Sequence, residues 1–136
     1  MINLKNIVVF LLLLFVGQSF SQVYRFKTTS VSVADKNQKG DWNKWSQSKD
    51  VNLVVTLDAK KNRIIVYSEI LQLFEIIEYI DEVSTKITDT VAFVCKNNDG
   101  EDCKLSIITR KNQGNRKQLY IMYDDRVLNY NIEILK

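Results

Sequence analysis

The side chains with the greatest chemical reactivity in this sequence are two cysteines and a few groups of carboxylates, and no histidine accompanies them. Histidine is the commonest general base, the commonest metal ligand and the usual partner of a serine or cysteine nucleophile. Its absence removes the most frequent catalytic and metal-binding arrangements together. We therefore expect a protein that is not an enzyme and that has no catalytic site, no metal and no other cofactor.

Carboxylates are the remaining candidates for acid–base catalysis. Asp124 and Asp125 are adjacent, and Glu78 lies close in sequence to Asp81 and Glu82. Adjacent strand residues point to opposite faces, and neighbouring aspartates are typical of solvated turns. A glycosidase needs two carboxyls across a cleft, which the sequence alone does not place. A histidine-free hydrolase is therefore the least favoured of three functional hypotheses.

Cys95 and Cys103 flank a strong turn signal. The segment Asn98-Asp99-Gly100 is typical of a three-residue hairpin loop whose glycine takes the left-handed conformation. A hairpin with this centre places Lys96 opposite Asp102 and the two cysteines opposite each other. In an exported chain such a pair predicts a disulfide, whereas a redox pair would need Cys-x-x-Cys spacing.

The N-terminal sequence predicts export. Residues 7–16, IVVFLLLLFV, form an apolar run too short to span a membrane, and Ser19 and Ser21 suit a signal-peptidase site. We expect residues 1–21 to be a signal peptide and residues 22–136 to form one domain without a membrane span, in the periplasm or outside the cell. The formal net charge of +3 is too small to indicate nucleic-acid binding.

Beyond the apolar run, the chain alternates apolar and polar residues. Period-two segments rich in Val, Ile, Tyr and Phe predict strands; they are residues 23–33, 51–57, 63–67, 90–96, 104–109, 118–123 and 127–134. Residues 70–80 also fit helical spacing, but without a helix cap they favour a strand. Short connections then predict an antiparallel meander of seven or eight strands, closed as a small calycin-like barrel or folded as a sandwich.

A single hairpin centre determines which side chains share a face. Alternation away from Asp99, combined with a tight turn at Asp124-Asp125, predicts one shared apolar core. Its expected members are Val91, Phe93, Leu105, Ile107, Leu119, Ile121, Leu128 and Tyr130. The intervening positions are mostly polar, which is typical of a solvated outer face.

Two resemblances concern the fold. Gly40-Asp41-Trp42 resembles the Gly-x-Trp that opens the first strand of lipocalins, although the later Thr-Asp-Tyr element of that family is not found. Residues 22–136 as a whole resemble small exported β-proteins of the Bacteroidota. The shared order comprises W-x-x-W, VNLVVTLDAKKNRIIVYS, the cysteine hairpin and QLYIMYDDRVLNYNI. That family has no established activity, so this resemblance implies fold and location only.

Trp42 and Trp45 are the only tryptophans. They could cap an open end of the barrel, with Trp45 buried and Trp42 more exposed, or form a stacking platform for a sugar ring or an apolar ligand, or belong to a protein interface. The favoured function is a non-catalytic exported barrel that binds a small apolar ligand or a glycan, tentatively at these tryptophans. The alternative is a structural or protein-interaction component of the cell envelope.

Overall fold

The computed structural model describes residues 23–135. The predicted signal peptide lies outside this range, and none of the described residues belongs to a helix long and apolar enough to cross a membrane. Nine strands and one short 3₁₀ helix, Lys111–Gln113, make up the fold. The strands are β1 (Val23–Asp35), β2 (Lys49–Asp50), β3 (Val54–Asp58), β4 (Arg63–Val66), β5 (Gln72–Ser84), β6 (Thr88–Asn97), β7 (Asp102–Arg110), β8 (Arg116–Met122) and β9 (Arg126–Ile134).

The strands form a closed antiparallel barrel. From β3 to β9 each strand pairs with the next in sequence, and β1 pairs with β9 to close the sheet. Strands β2 and β3 both lie along the other side of β1 and act as one interrupted strand, so the wall has eight strands. The predicted all-β meander is confirmed, and of the two predicted arrangements the barrel is the one formed.

A buried threonine holds the interrupted strand to β1. The Thr28 hydroxyl donates to the carbonyl of Val51 over 2.9 Å and accepts from the amide of Leu53 over 2.8 Å. Thr28 is only 1 % exposed. Its side chain therefore satisfies two backbone groups where β2 and β3 lose their regular pairing.

The ambiguous segment at residues 70–80 lies mainly in β5, which confirms the strand interpretation. The pairing of β5 with β6 shifts register between Ile76 and Glu78, and again between Ile80 and Val83. A β-bulge moves the inward and outward alternation by one residue. These shifts explain why apolar residues in this segment also match helical spacing.

The predicted hairpin between β6 and β7 is confirmed. The amide of Gly100 donates to the carbonyl of Asn97 over 3.0 Å, and Gly100 has a φ of 81°. Lys96 lies opposite Asp102 with a salt bridge of 3.3 Å. Turn chemistry and cross-strand charge thus select the same register.

That register generates the core. Of the eight predicted core residues, Phe93, Leu105, Leu119, Ile121 and Tyr130 belong to the buried cluster, and Val91, Ile107 and Leu128 pack against it. The turn at Asp124-Asp125 is confirmed by the hydrogen bond from the Tyr123 amide to the Arg126 carbonyl, 2.8 Å.

Cys95 and Cys103 lie opposite each other, as predicted, and both are buried. They are free thiols in this structure, so the predicted disulfide is not present. The backbone N–H of Asn97 donates to the carbonyl of Glu101 over 3.0 Å, so Asn97 and Glu101 form a hydrogen-bonded pair of the antiparallel ladder. Pair types alternate along a ladder, so the cysteines also form a hydrogen-bonded pair, in which opposed residues are farther apart than in the alternate type.

Candidate functional site: the mouth of the barrel

The two ends of the barrel differ. At the end where the β6–β7 and β8–β9 hairpins turn, the Arg126 guanidinium stacks over the Tyr123 ring at 3.8 Å and pairs with Glu101 at 3.1 Å. The Tyr123 hydroxyl accepts a hydrogen bond from the Asn97 amide group over 3.2 Å. These side chains bridge part of this end, which we call the closed end, and a cavity of about 410 Å³ lies beside them.

At the opposite end, where β6 and β8 begin and β7 and β9 finish, a cavity of about 580 Å³ opens to solvent. We call this end the mouth. Its apolar floor consists of Phe26, Leu57, Val91 and Ile107. These side chains extend the buried core toward solvent, so the mouth offers apolar surface inside a ring of strands.

Three polar residues lie next to this floor. Asp89 pairs with Thr109 and Thr109 pairs with Lys117 across β6, β7 and β8. Asp89 and Thr109 share the alternation of Val91 and Ile107, and all three polar residues line the cavity. We call Asp89, Thr109 and Lys117 the polar row. Inward-facing polar groups above an apolar floor are typical of a small-ligand site.

The two charges of the polar row have different surroundings. The Asp89 carboxylate accepts a hydrogen bond from the Ser84 hydroxyl and forms a 2.9 Å salt bridge with Lys111. The hydrogen bond from Ser84, followed by that from Lys111, lowers the pKa of Asp89 below its usual value. The Asp89 charge is therefore already balanced by the protein.

Lys117 forms no salt bridge among the described residues, although its charge is the smallest of the influences that lower the pKa of Asp89. Its ammonium nitrogen donates to the Thr109 hydroxyl over 2.8 Å. Among residues 23–135, no carboxylate oxygen lies within the 4.0 Å of a salt bridge to it. An ammonium carries three donors, so two remain for another group at the mouth.

The sequence contains the signal for this row, although our predictions did not use it. The predicted core included Val91 and Ile107, and the same alternation carried two residues further along each strand reaches Asp89 and Thr109. Polar residues at inward positions on neighbouring strands mark the point where a core gives way to a site.

The tryptophans lie elsewhere. Trp42 and Trp45 are each 49 % exposed, so the prediction of a buried Trp45 is wrong. The Trp45 ring packs edge-on against Tyr120 at 6.5 Å. Tyr120 alternates with the core residues Leu119 and Ile121 and therefore faces outward. Trp45 thus covers part of the outer wall, because its loop runs beside β1 instead of across an end.

Trp42 lies in the same loop, between β1 and β2. It forms an isolated bridge with Lys36, whose ammonium sits over the Trp42 ring at 5.1 Å. Gly40-Asp41-Trp42 therefore follows the first described strand, whereas the lipocalin motif opens one. The predicted role of both tryptophans in ligand binding remains a prediction.

The carboxylates considered for catalysis are dispersed. Glu78, Asp81 and Glu82 are exposed along β5, and Asp125 pairs with Arg126 in a solvated turn. Glu82 and Asp89 both line the mouth. The lowered pKa of Asp89 keeps that group ionised, which is the opposite of what a general acid needs.

The two thiols have little thiolate character. Burial, with a smaller contribution from Cys103, raises the pKa of Cys95 to about 12. Burial, followed by the charges of Glu101 and Asp102, raises the pKa of Cys103 to about 11. The thiolate is the reactive form, so the folded barrel protects both residues.

We expect iodoacetamide at pH 8 to alkylate both cysteines of the reduced, folded protein at least about a hundredfold more slowly than in urea, because an ordinary cysteine has a pKa near 8.5. Unfolding lowers both pKa values, so stability is full below about pH 9 and falls as pH rises toward 11 and 12. Mass spectrometry against time measures the labelling, and a Ser48→Cys variant supplies an exposed control thiol. Equal rates for folded and unfolded protein would contradict this expectation.

No family model, curated protein or solved structure matches this chain. Its function must therefore be argued from the geometry of the barrel. The most informative feature is the mouth, whose cavity is larger than the one at the closed end and combines an apolar floor with a polar row.

Proposed function

We propose that the protein is an exported, non-catalytic barrel that binds a small ligand with an apolar body in its mouth. The observation that carries this proposal is the cavity of about 580 Å³ above Phe26, Leu57, Val91 and Ile107. Ligand pockets typically measure about 300–1,000 Å³ and combine apolar walls with a few polar groups. The apolar N-terminal run at residues 7–16 supports export.

The closed end adds a physical argument. There the same eight strands are filled by large side chains, and Phe74, Leu105 and Ile121 are completely buried. A barrel of this size can therefore pack its own interior. At the mouth, Val91 and Ile107 remain partly exposed, so apolar surface stays in contact with water unless a ligand covers it.

Filling the mouth with a larger side chain should weaken ligand binding. We expect Val91→Trp to weaken the affinity for the neutral fluorescent probe N-phenyl-1-naphthylamine at least about tenfold, because the indole would occupy the space of the probe. Titration of probe fluorescence measures the effect. The matched control is Val94→Trp, on the same strand but the outer face, which should bind as the wild type does.

Two results would overturn this proposal. One is a wild-type protein that shows no saturable probe binding, and the other is equal binding by the Val91→Trp variant. Native mass spectrometry of protein taken from its own compartment provides a second test, because a bound ligand adds a discrete mass.

A second candidate function uses the outer wall. The half-exposed rings of Trp42 and Trp45 offer aromatic surface on which a sugar ring could stack, or which a partner in the envelope could contact. Trp42 already has a cation over one face of its ring, and Trp45 has Tyr120 at its edge. The mouth is favoured over this wall because it combines enclosure, apolar surface and oriented polar groups.

A further inference from the structure

We propose that the mouth selects amphipathic anions, with the apolar body on the floor and the negative head group on Lys117; this inference rests on the proposed function. The supporting observation is a lysine at the boundary between apolar floor and solvent whose ammonium group, among residues 23–135, donates a hydrogen bond only to the Thr109 hydroxyl. An alkyl carboxylate is the simplest ligand of this class.

The position of Lys117 on the barrel supports its assignment as the residue that binds the anionic head group. Lys117 pairs with Thr109 on one side and with the buried Ile132 on the other, so it belongs to the inward row of β8. Thr109 holds the ammonium by a 2.8 Å hydrogen bond, which limits its freedom before a ligand arrives. A head group bound at the Lys117 ammonium would leave the apolar body of the ligand directed toward Val91 and Ile107.

The distribution of charge in the polar row also supports the binding of an anion at Lys117. The only other charged member of the polar row, Asp89, is occupied by Ser84 and by the salt bridge to Lys111. A cationic ligand at Asp89 would have to displace that lysine, whereas an anion meets Lys117 without displacing any carboxylate. Glu82, the other carboxylate that lines the mouth, lies on β5, on the far side of β6 from Lys117. A hydrogen bond to an ionised partner is stronger than a neutral one, and the apolar surroundings increase this difference.

A series of titrations tests the proposal on residues 22–136. Isothermal titration compares dodecanoate, dodecanol and dodecyltrimethylammonium, which share one alkyl length and differ in head-group charge. The wild type should bind dodecanoate at least about tenfold more tightly than the other two. The dodecanoate and dodecanol titrations are then repeated with Lys117→Met, which keeps the apolar stem and removes the charge.

We expect Lys117→Met to lose most of the preference for dodecanoate over dodecanol, measured as the ratio of the two affinities of the same variant. Lys117→Arg, which restores the positive charge, should recover most of the preference. The control is Lys104→Met, because Lys104 is an exposed residue of the outer face and should have no effect.

Failure of this inference and failure of the proposed function look different. If dodecanol binds the wild type but dodecanoate binds no better, or if Lys117→Met keeps the preference, anion selection is wrong and the apolar site stands. If no probe binds at all, both the site and its selectivity are overturned. Thermal unfolding of each variant, measured in parallel, excludes loss of folding as the cause of lost binding.

Discussion

Replacing Phe93 by alanine should lower the free energy of unfolding by about 3–5 kcal/mol. The ring is only 3 % exposed and lies opposite the fully buried Leu105. It also packs against Tyr79 in an edge-to-face arrangement with 5.6 Å between ring centres. Alanine would remove these contacts and leave a cavity that the closed sheet can only partly collapse, because each strand is held on both sides.

Urea unfolding followed by far-ultraviolet circular dichroism measures this loss. Tyr67→Ala is the matched control, since it also removes an aromatic ring but from a side chain that is 48 % exposed. The control should cost less than about 1 kcal/mol. A Phe93→Ala protein as stable as the control would contradict the register of β6, because it would place Ala92 and Val94 inside in place of Phe93.

The size of this effect matters for a single small domain. Domains are usually stable by about 5–15 kcal/mol, so one buried ring accounts for a large share of the total. If Phe93→Ala does not fold, the milder Phe93→Leu keeps the experiment informative, since it should fold with a smaller loss.

The hairpin, the core and the tight turn could be predicted because they depend on local information. Asn98-Asp99-Gly100 specifies one turn, and alternation then transmits its register to β6 and β7. Closure of the barrel could not be predicted from local information. The pairing of β1 with β9 joins residues about a hundred positions apart, and no local pattern in either strand encodes that contact.

The predictions that failed also concern contacts between residues that are distant in sequence. The expectation of a buried Trp45 rests on its position closer than Trp42 to the predicted strand at residues 51–57, but its loop runs along the outer wall. The site itself was missed because Asp89 and Lys117 look like ordinary strand-end charges. Only the assembled barrel brings them to the same rim, on either side of Thr109.

The barrel also depends on the two hydrogen bonds of the Thr28 hydroxyl, which no pattern in the sequence indicates. Replacing Thr28 by valine should lower the free energy of unfolding by roughly 1–3 kcal/mol, since two partly buried backbone groups lose their partner and water can replace it only in part. Valine keeps the branched shape of threonine, so the loss would report the hydroxyl. The affected groups are the amide of Leu53 and the carbonyl of Val51.

A neighbouring residue provides the control and separates two explanations. Thr29→Val removes a hydroxyl that is exposed and forms only a 3.4 Å contact with the carbonyl of Asn131, so it should change stability by less than about 0.5 kcal/mol. Hydrogen exchange at Leu53 adds a local measurement: its amide should exchange faster in Thr28→Val and unchanged in Thr29→Val. If Thr28→Val left both stability and this exchange rate unaltered, the hydroxyl would not be what joins the interrupted strand to β1. The wall between β2 and β3 would then be held by the apolar packing of Val51 and Leu53 together with the backbone hydrogen bonds that join these two residues to β1.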